Sequence, residues 1–307
     1  MTTFLVTQAT GQQSLAVISH LLASGAKVHA IVRNPDKAPE ALKQDGITIF
    51  KGESVNFDQV LEAAQGCKGV FLNTFPWPGL EAQQAKTIVQ ACKKAGVEGV
   101  VAATTFLTGD RTVWDDDITR QLGLLPYFSS KAEVEDIVRG ANFTTYTILR
   151  PSILLSDLML PGVYANFPGL AASGELDHAC NDGVRIAFTD TYDIGKYAAS
   201  ALLNPDKFSG LELDMANEYL TIEEVRKAIE EVTGRSVGVR QVSPEEVQAN
   251  IATVFGRAFH LYSNVRDFSE AIKKGKEAQS KTGIPFTPYQ ETLKRDRSRL
   301  LETLPAQ

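Results

Sequence analysis

Apolar residues along this chain recur with two different periods, and the two patterns alternate. Phe4-Leu5-Val6 is a short apolar run. A polar turn follows, Thr7-Gln8-Ala9-Thr10-Gly11-Gln12-Gln13-Ser14, then Leu15, Ile18, Leu21 and Leu22 at helical spacing as far as Gly25. Val28-His29-Ala30-Ile31-Val32 is the next apolar run. Strands buried on both faces read as continuous apolar stretches, whereas helices show stripes every three or four residues. The pattern therefore predicts strand, tight turn, helix, strand. It continues with strands over 47–50, 69–73, 99–104 and 145–149, and helices over 57–64, 80–94 and 129–139. Such alternation predicts an α/β fold, a Rossmann-type doubly wound parallel sheet covered on both faces.

Beyond Pro151 the rhythm changes. Residues 153–185 hold irregular apolar stretches punctuated by Pro and Gly, which suit a lobe over the carboxyl edge of the sheet. A helix over 193–203 and a strand over 211–215 read as a return to the main sheet, followed by helices over 221–233, 244–251 and about 265–279. The expected division is a nucleotide-binding domain from 1–152 plus about 186–216. A smaller, mostly helical C-terminal substrate lobe would comprise about 153–185 plus 217–307. No internal repeat or low-complexity segment is visible.

The opening strand–turn–helix nominates a ligand. A helix N-terminus reached through a glycine turn offers free N–H groups and the positive end of a dipole to a pyrophosphate. A GxxGxxG spacing would place glycine at 8, 11 and 14, where the chain has Gln8, Gly11 and Ser14. Gly11 still lets the backbone approach phosphates, and Ser14 is small enough for close packing and carries a hydroxyl that can face phosphate. Gln8 departs from the pattern, because the first glycine normally relieves a tight turn. Thr7, Ala9, Thr10, Gly11, Gln12 and Gln13 are thus the candidate phosphate contacts.

Arg33 ends the second predicted strand, where an acidic residue would bind the ribose of NAD and an arginine accommodates the 2′-phosphate of NADP. Lys37 follows four residues later. One charge-assisted contact is worth about 1.5–3 kcal/mol, so NADP(H) is expected to be preferred over NAD(H) by about tenfold or more. A solvated basic loop is the plainer reading of the same residues. Thr74 and Phe75, in the loop Phe75-Pro76-Trp77-Pro78-Gly79, should pass the cofactor, packing against it or against the fold.

Charge and cysteine usage narrow the class. A net charge of −6 argues against a nucleic-acid partner, for which a basic patch is the expected footprint. The three cysteines, Cys67, Cys92 and Cys180, are far apart and show no metal-ligand spacing, so a reduced compartment is expected. The first residues run into a strand with no charged leader, and no apolar run is long enough to span a membrane. A cytoplasmic protein acting on a small-molecule substrate is the expectation.

Tyr127-Phe128-Ser129-Ser130-Lys131 carries the candidate chemistry. Tyr and Lys four residues apart share a helix face. An ammonium beside a phenol stabilises phenolate and moves it toward useful acid–base range. Thr104 and Thr105 end the preceding apolar strand, where a hydroxyl can orient a substrate carbonyl. An amphipathic helix start explains the Tyr–Lys spacing alone. Trp114-Asp115-Asp116-Asp117 reads either as a helix N-terminus favouring negative charge or as a carboxylate, Asp115 among them, that holds an amine or iminium. His178 and Cys180 read as structural or catalytic.

The turn 7–13, Arg33-Asn34-Pro35, Ser130-Lys131-Ala132-Glu133-Val134-Glu135, Leu149-Arg150-Pro151-Ser152 and Asp193-Ile194-Gly195 together resemble the NmrA-like family of atypical short-chain dehydrogenases/reductases. The resemblance spans about residues 3–235. It implies a Rossmann domain that binds NADP(H), with Pro151 near the cofactor, and a lobe that closes over substrate. It also implies that Lys131 contacts the nicotinamide ribose and Tyr127 donates the proton. Many family members lack this tyrosine. The leading expectation is an NADP(H)-dependent reductase of a small apolar carbonyl, imine or enone, with a place in secondary metabolism. Two alternatives stay open: a redox-neutral cyclisation or condensation enzyme of Pictet-Spengler type that retains the cofactor, and an NADP(H) sensor acting through a protein partner.

Overall fold

The computed structural model describes residues 1–77 and 79–306, so Pro78 of the aromatic loop lies outside the described residues. The chain divides into two compact units. The first comprises Met1–Trp114, Leu125–Pro151 and Thr191–Asp214; the second comprises Asp115–Leu124, Ser152–Asp190 and the described residues from Met215 on.

The first unit runs β1 (Thr3–Val6), α1 (Gln12–Ala23), β2 (Lys27–Val32), β3 (Ile47–Lys51), α2 (Phe57–Ala64), β4 (Gly69–Leu72), α3 (Leu80–Lys94) and β5 (Gly99–Ala103). It continues with α4 (Leu125–Gly140), β6 (Thr145–Arg150), α5 (Thr191–Leu203) and β7 (Leu211–Asp214). The seven strands form one sheet in the order β7-β6-β5-β4-β1-β2-β3, and each adjacent pair is parallel. The order reverses between β1 and β4, and crevices beyond the carboxyl ends of strands at such a switch point bind ligands.

Apolar continuity explains the strands. Leu5, Val70, Leu72, Val100, Ala102 and Ile148 are buried together with Ile88 and Cys92 of α3 and Val134 and Val138 of α4. β7 pairs with β6 from Leu211↔Thr147 to Asp214↔Arg150, so the late strand does return to the main sheet. The Asp193-Ile194-Gly195 signature has a packing cause. A Cβ on Gly195 would lie 2.5 Å from the backbone carbon of Ala16, so only glycine lets α5 approach α1 this closely. α4 begins at Leu125, four residues before the helix read from periodicity, because Leu125-Pro126 opens the turn that carries Tyr127.

In the second unit a three-stranded sheet joins Glu218–Thr221, Arg185–Thr189 and Ile153–Leu154, and a two-stranded parallel pair joins Gly238–Gln241 to Glu175–His178. Leu158, Phe167, Leu176, Phe188, Val225, Ile229 and Leu300 form its core. Among the described residues, six longer helices, from Ile222–Thr233 to Arg297–Thr303, supply most of its ordered structure. Segments such as Val163–Asn166 and Glu175–His178 are too short to show a period, which is why 153–185 looks irregular in sequence. No helix among the described residues is long and apolar enough to cross a membrane.

Candidate active site

The β1–α1 turn is built by hydrogen bonds that use some of the nominated groups and leave others open. Thr7 is fully buried, and its hydroxyl donates to the Asn73 carbonyl at 2.9 Å while accepting from the Asn73 amide at 2.9 Å. Ser14 Oγ donates to the Thr7 carbonyl at 2.9 Å. These two hydroxyls stitch β1 to β4 and α1, and neither faces outward. Gly11 is the N-cap, with no side-chain cap and no acidic residue in the first turn of α1, so the N–H groups at its start lack the usual side-chain partner. The side-chain carbonyl of Gln13, at the same end, is buried without a hydrogen-bond partner.

Gln8 holds φ at +49°, and the Gly11 amide donates to its carbonyl at 2.8 Å. The turn demands a left-handed residue there, and a non-glycine in that region costs about 1–2 kcal/mol. Thr10 is exposed and Ala9 buried.

A cavity of about 230 Å³ opens beside this turn, lined by Gln8 and Thr10, Ile31 to Arg33 at the end of β2, Gly52 to Val55 after β3, and Phe75, Leu80 and Gln84. Arg33 is exposed and makes no ion pair among the described residues. Lys37 lies on the short helical turn Pro35–Lys37 and does not line the cavity. The Phe75 amide donates to Gln84 Oε1 at 2.9 Å, which fixes the backbone of an exposed aromatic residue.

Tyr127 and Lys131 are one turn apart on α4, with Lys131 Nζ 6.0 Å from the centre of the Tyr127 ring. Lys131 is buried, and its ammonium is 2.6 Å from Glu81 Oε1 on the first turn of α3. Thr74 Oγ1 donates to the same oxygen at 2.7 Å. Thr74 therefore steadies a carboxylate. Glu81 was not picked out from the sequence, although it stands on the buried stripe of Ala85, Ile88 and Cys92, where an acidic residue is out of place.

The threonines that end β5 have other partners. Thr104 Oγ1 donates to Glu135 Oε1 at 2.7 Å, and Thr108 Oγ1 donates to the same atom at 2.5 Å. Arg150 closes the cluster, with Nε 2.9 Å from Glu135 Oε1 and a terminal nitrogen 2.7 Å from Oε2. Arg139 donates to Glu135 Oε2 at 2.7 Å, and Arg150 also pairs with Glu212. Burial acts to raise the Glu135 carboxyl, but hydrogen bonding to and the charge of Arg150, with help from Thr108 and Thr104, hold it below the usual carboxylate range. The Thr104 hydroxyl thus belongs to a buried ionic cluster. Thr105 Oγ1 lies 3.5 Å from the Pro151 carbonyl, which also accepts from the Phe106 amide at 2.9 Å.

In the second unit Asp116 caps the helix Asp117–Gln121 in a reciprocal box with Thr119 and also pairs with Arg266. Asp115 pairs with Arg120 at 2.5 Å and Asp117 with Arg120 at 3.2 Å. Asp116 therefore stands at a helix start. His178 and Cys180 are buried. The Cys180 amide donates to His178 Nδ1 at 3.2 Å, and burial pushes the Cys180 thiol up to about 12, the opposite of an activated nucleophile. Among the described residues no cluster of side chains has metal-ligand composition.

A model of the NmrA-like family matches residues 1–286. Quinone oxidoreductase 2 of Escherichia coli is 26% identical over 252 residues, covering 81% of each chain. The structure of Citrobacter sp. triphenylmethane reductase complexed with NADP(H) superposes with a TM-score of 0.72 at 22% identity, covering 95% of this chain and 99% of that one. NmrA, a negative transcriptional regulator in complex with NADP, gives 0.70 at 21% identity, covering 98% and 96%. At such identities the structural likeness establishes the fold.

Proposed function

We propose that this chain, which belongs to the NmrA-like family, is an NADP(H)-dependent oxidoreductase acting on a small apolar carbonyl, imine or enone. The observation that carries the reading is the cavity beside the β1–α1 turn, with the Arg33 guanidinium, without an ion pair among the described residues, at its wall and a helix start with no side-chain cap next to it. The residues fit an adenosine phosphate. Arg33 offers a cation to a 2′-phosphate, the first N–H groups of α1 suit a pyrophosphate, and Val55 and Leu80 supply apolar walls for a planar base. Relatives named as a quinone oxidoreductase and a triphenylmethane reductase agree with reduction of apolar, conjugated molecules.

The chemistry that NADPH brings when bound is hydride donation to an electrophilic carbon. Tyr127 would supply the proton to the atom that gains charge, and Lys131 would hold the nicotinamide ribose. Thr104 has no part in this reading, because its hydroxyl is held by Glu135. Thr105, whose hydroxyl has among the described residues only a long contact to the Pro151 carbonyl, is the better of the two for orienting a substrate. The redox-neutral alternative drew on Asp115 to Asp117, whose carboxylates are occupied by a helix cap and by arginines.

One observation favours the sensor reading instead. Lys131 is neutralised by Glu81 at 2.6 Å, so it presents a compensated dipole, and not a net charge, to the phenol. The two readings separate with the purified chain, NADPH and a panel of quinones, enones and imines followed at the nicotinamide absorbance band. A reductase consumes NADPH in step with product. Tight NADPH binding without consumption across the panel would overturn the reductase reading and leave the sensor.

A further inference from the structure

A buried salt bridge is a poor device for stability, because desolvating both charges offsets most of their attraction and apolar residues of the same size do as well or better. The Glu81–Lys131 pair is such a bridge, with side chains 1% and 6% exposed. It is also incompletely satisfied. Glu81 Oε1 takes both Lys131 and the Thr74 hydroxyl, while Oε2 is buried with no hydrogen-bond partner. A carboxylate kept in the apolar stripe of α3 with an orphaned oxygen carries a cost that packing alone does not require. Its geometry does one thing well. It fixes a long, flexible lysine side chain in a single position against the face of Tyr127.

We infer that Glu81 is a positioning residue for the nicotinamide half of the cofactor, acting through Lys131 and held in turn by Thr74. The inference rests on the proposed function, in which Lys131 serves the nicotinamide ribose. An ammonium on four rotatable bonds loses much conformational freedom when it binds a ribose hydroxyl. A carboxylate that holds it beforehand removes that loss from the binding step. The adenosine half, gripped at the β1–α1 turn and Arg33, does not depend on this pair.

The test compares two ligands by calorimetry on the full chain: NADPH, and 2′,5′-ADP, which carries the adenosine phosphates without a nicotinamide half. Glu81→Gln and Lys131→Met are each expected to weaken NADPH about tenfold or more, with 2′,5′-ADP unchanged within about twofold. The double variant should bind NADPH no worse than Lys131→Met alone, since Glu81 acts through the lysine. A merely structural Glu81 would move both ligands together or neither, and either result overturns the inference. Glu81→Gln leaves a buried cation unpaired, so its folding is checked by thermal melting. If it fails to fold, Thr74→Val, which keeps both charges, takes its place. It should weaken NADPH about two- to fivefold and spare 2′,5′-ADP, and identical binding of both ligands would overturn the inference. Wild-type protein that binds neither ligand removes the proposed function itself. Normal wild-type binding with an unaffected Glu81→Gln removes the positioning role only.

Discussion

Arg33 and Lys131 stand in opposite electrostatic circumstances within one unit of the chain. Arg33 is exposed, unpaired among the described residues, and lines a cavity of about 230 Å³. Lys131 is buried and already matched by a carboxylate at 2.6 Å. The first arrangement is an open demand for an anion, so it points to a ligand by itself. The second is internally satisfied and points to a ligand only through what the lysine is positioned to do. Phosphate binding can therefore be argued from geometry, whereas catalysis has to be argued from chemistry. The Glu135–Arg150 cluster extends the contrast, since it is equally well matched and holds the Thr104 hydroxyl away from any substrate.

The largest expected effect lies in the matched region. Glu135→Gln should cost about 3–5 kcal/mol of stability, because it leaves the Arg150 guanidinium short of its main partner, with Glu212 keeping the loss toward the low end. Denaturant unfolding at neutral pH measures it, and a loss under about 1 kcal/mol would class the cluster with exposed salt bridges. Tyr127→Phe should lower turnover about 100-fold or more while leaving NADPH affinity intact. Full activity in this variant would take the phenol out of the reaction.

Acid response should follow buried imidazole in the second unit. Burial first, then the charge of Arg257 and the neighbouring His178, hold His260 down to about 3. The native ring stays neutral while the unfolded chain takes up a proton below its ordinary value of about 6.5. His260 therefore contributes stability that is present above pH 6.5 and is lost as pH falls toward about 3, with a slope of at most about 1.4 kcal/mol per pH unit. His260→Phe should flatten the unfolding profile across that window, and an unchanged slope would place the acid sensitivity elsewhere.

In the open region the effects are smaller. Arg33→Ala should weaken NADPH about tenfold and NADH little, and equal loss for both would deny Arg33 its role toward the 2′-phosphate. The smallest effect is expected at Gln8. Gln8→Gly relieves a left-handed backbone and should stabilise the unliganded protein by about 1 kcal/mol, seen as a modest rise in melting temperature. A fall would mean that the glutamine side chain contributes contacts that outweigh the strain.

Legibility in the sequence follows the same divide. The sheet could be read because buried parallel strands are unbroken apolar runs, as at Val70 to Leu72 and Val100 to Ala102. The β1–α1 turn and the place of Arg33 at the end of β2 could be read because both belong to one local strand, turn, helix and strand within thirty-odd residues. Tyr127 and Lys131 share one helix face, so their proximity was legible too. The rest depends on residues far apart in the chain. Glu81 meets Lys131 across two helices, and Glu135 gathers Thr104, Thr108 and Arg150 from a strand end, a loop and a second strand. No local period encodes such meetings. The visible trace was an acidic residue on an apolar stripe in both helices. Asp116 is a different case, since a helix start was one of the two readings that the acidic run 115–117 allowed, and the box with Thr119 is what the structure adds.

The central claim is that the open cation at the end of β2 selects a phosphorylated adenosine dinucleotide. Calorimetric titration of the wild-type chain with NADPH and with NADH, at one salt concentration, tests it most directly. The account predicts saturable binding of NADPH at least about tenfold tighter than NADH. Equal affinities, or no heat with either, would contradict it.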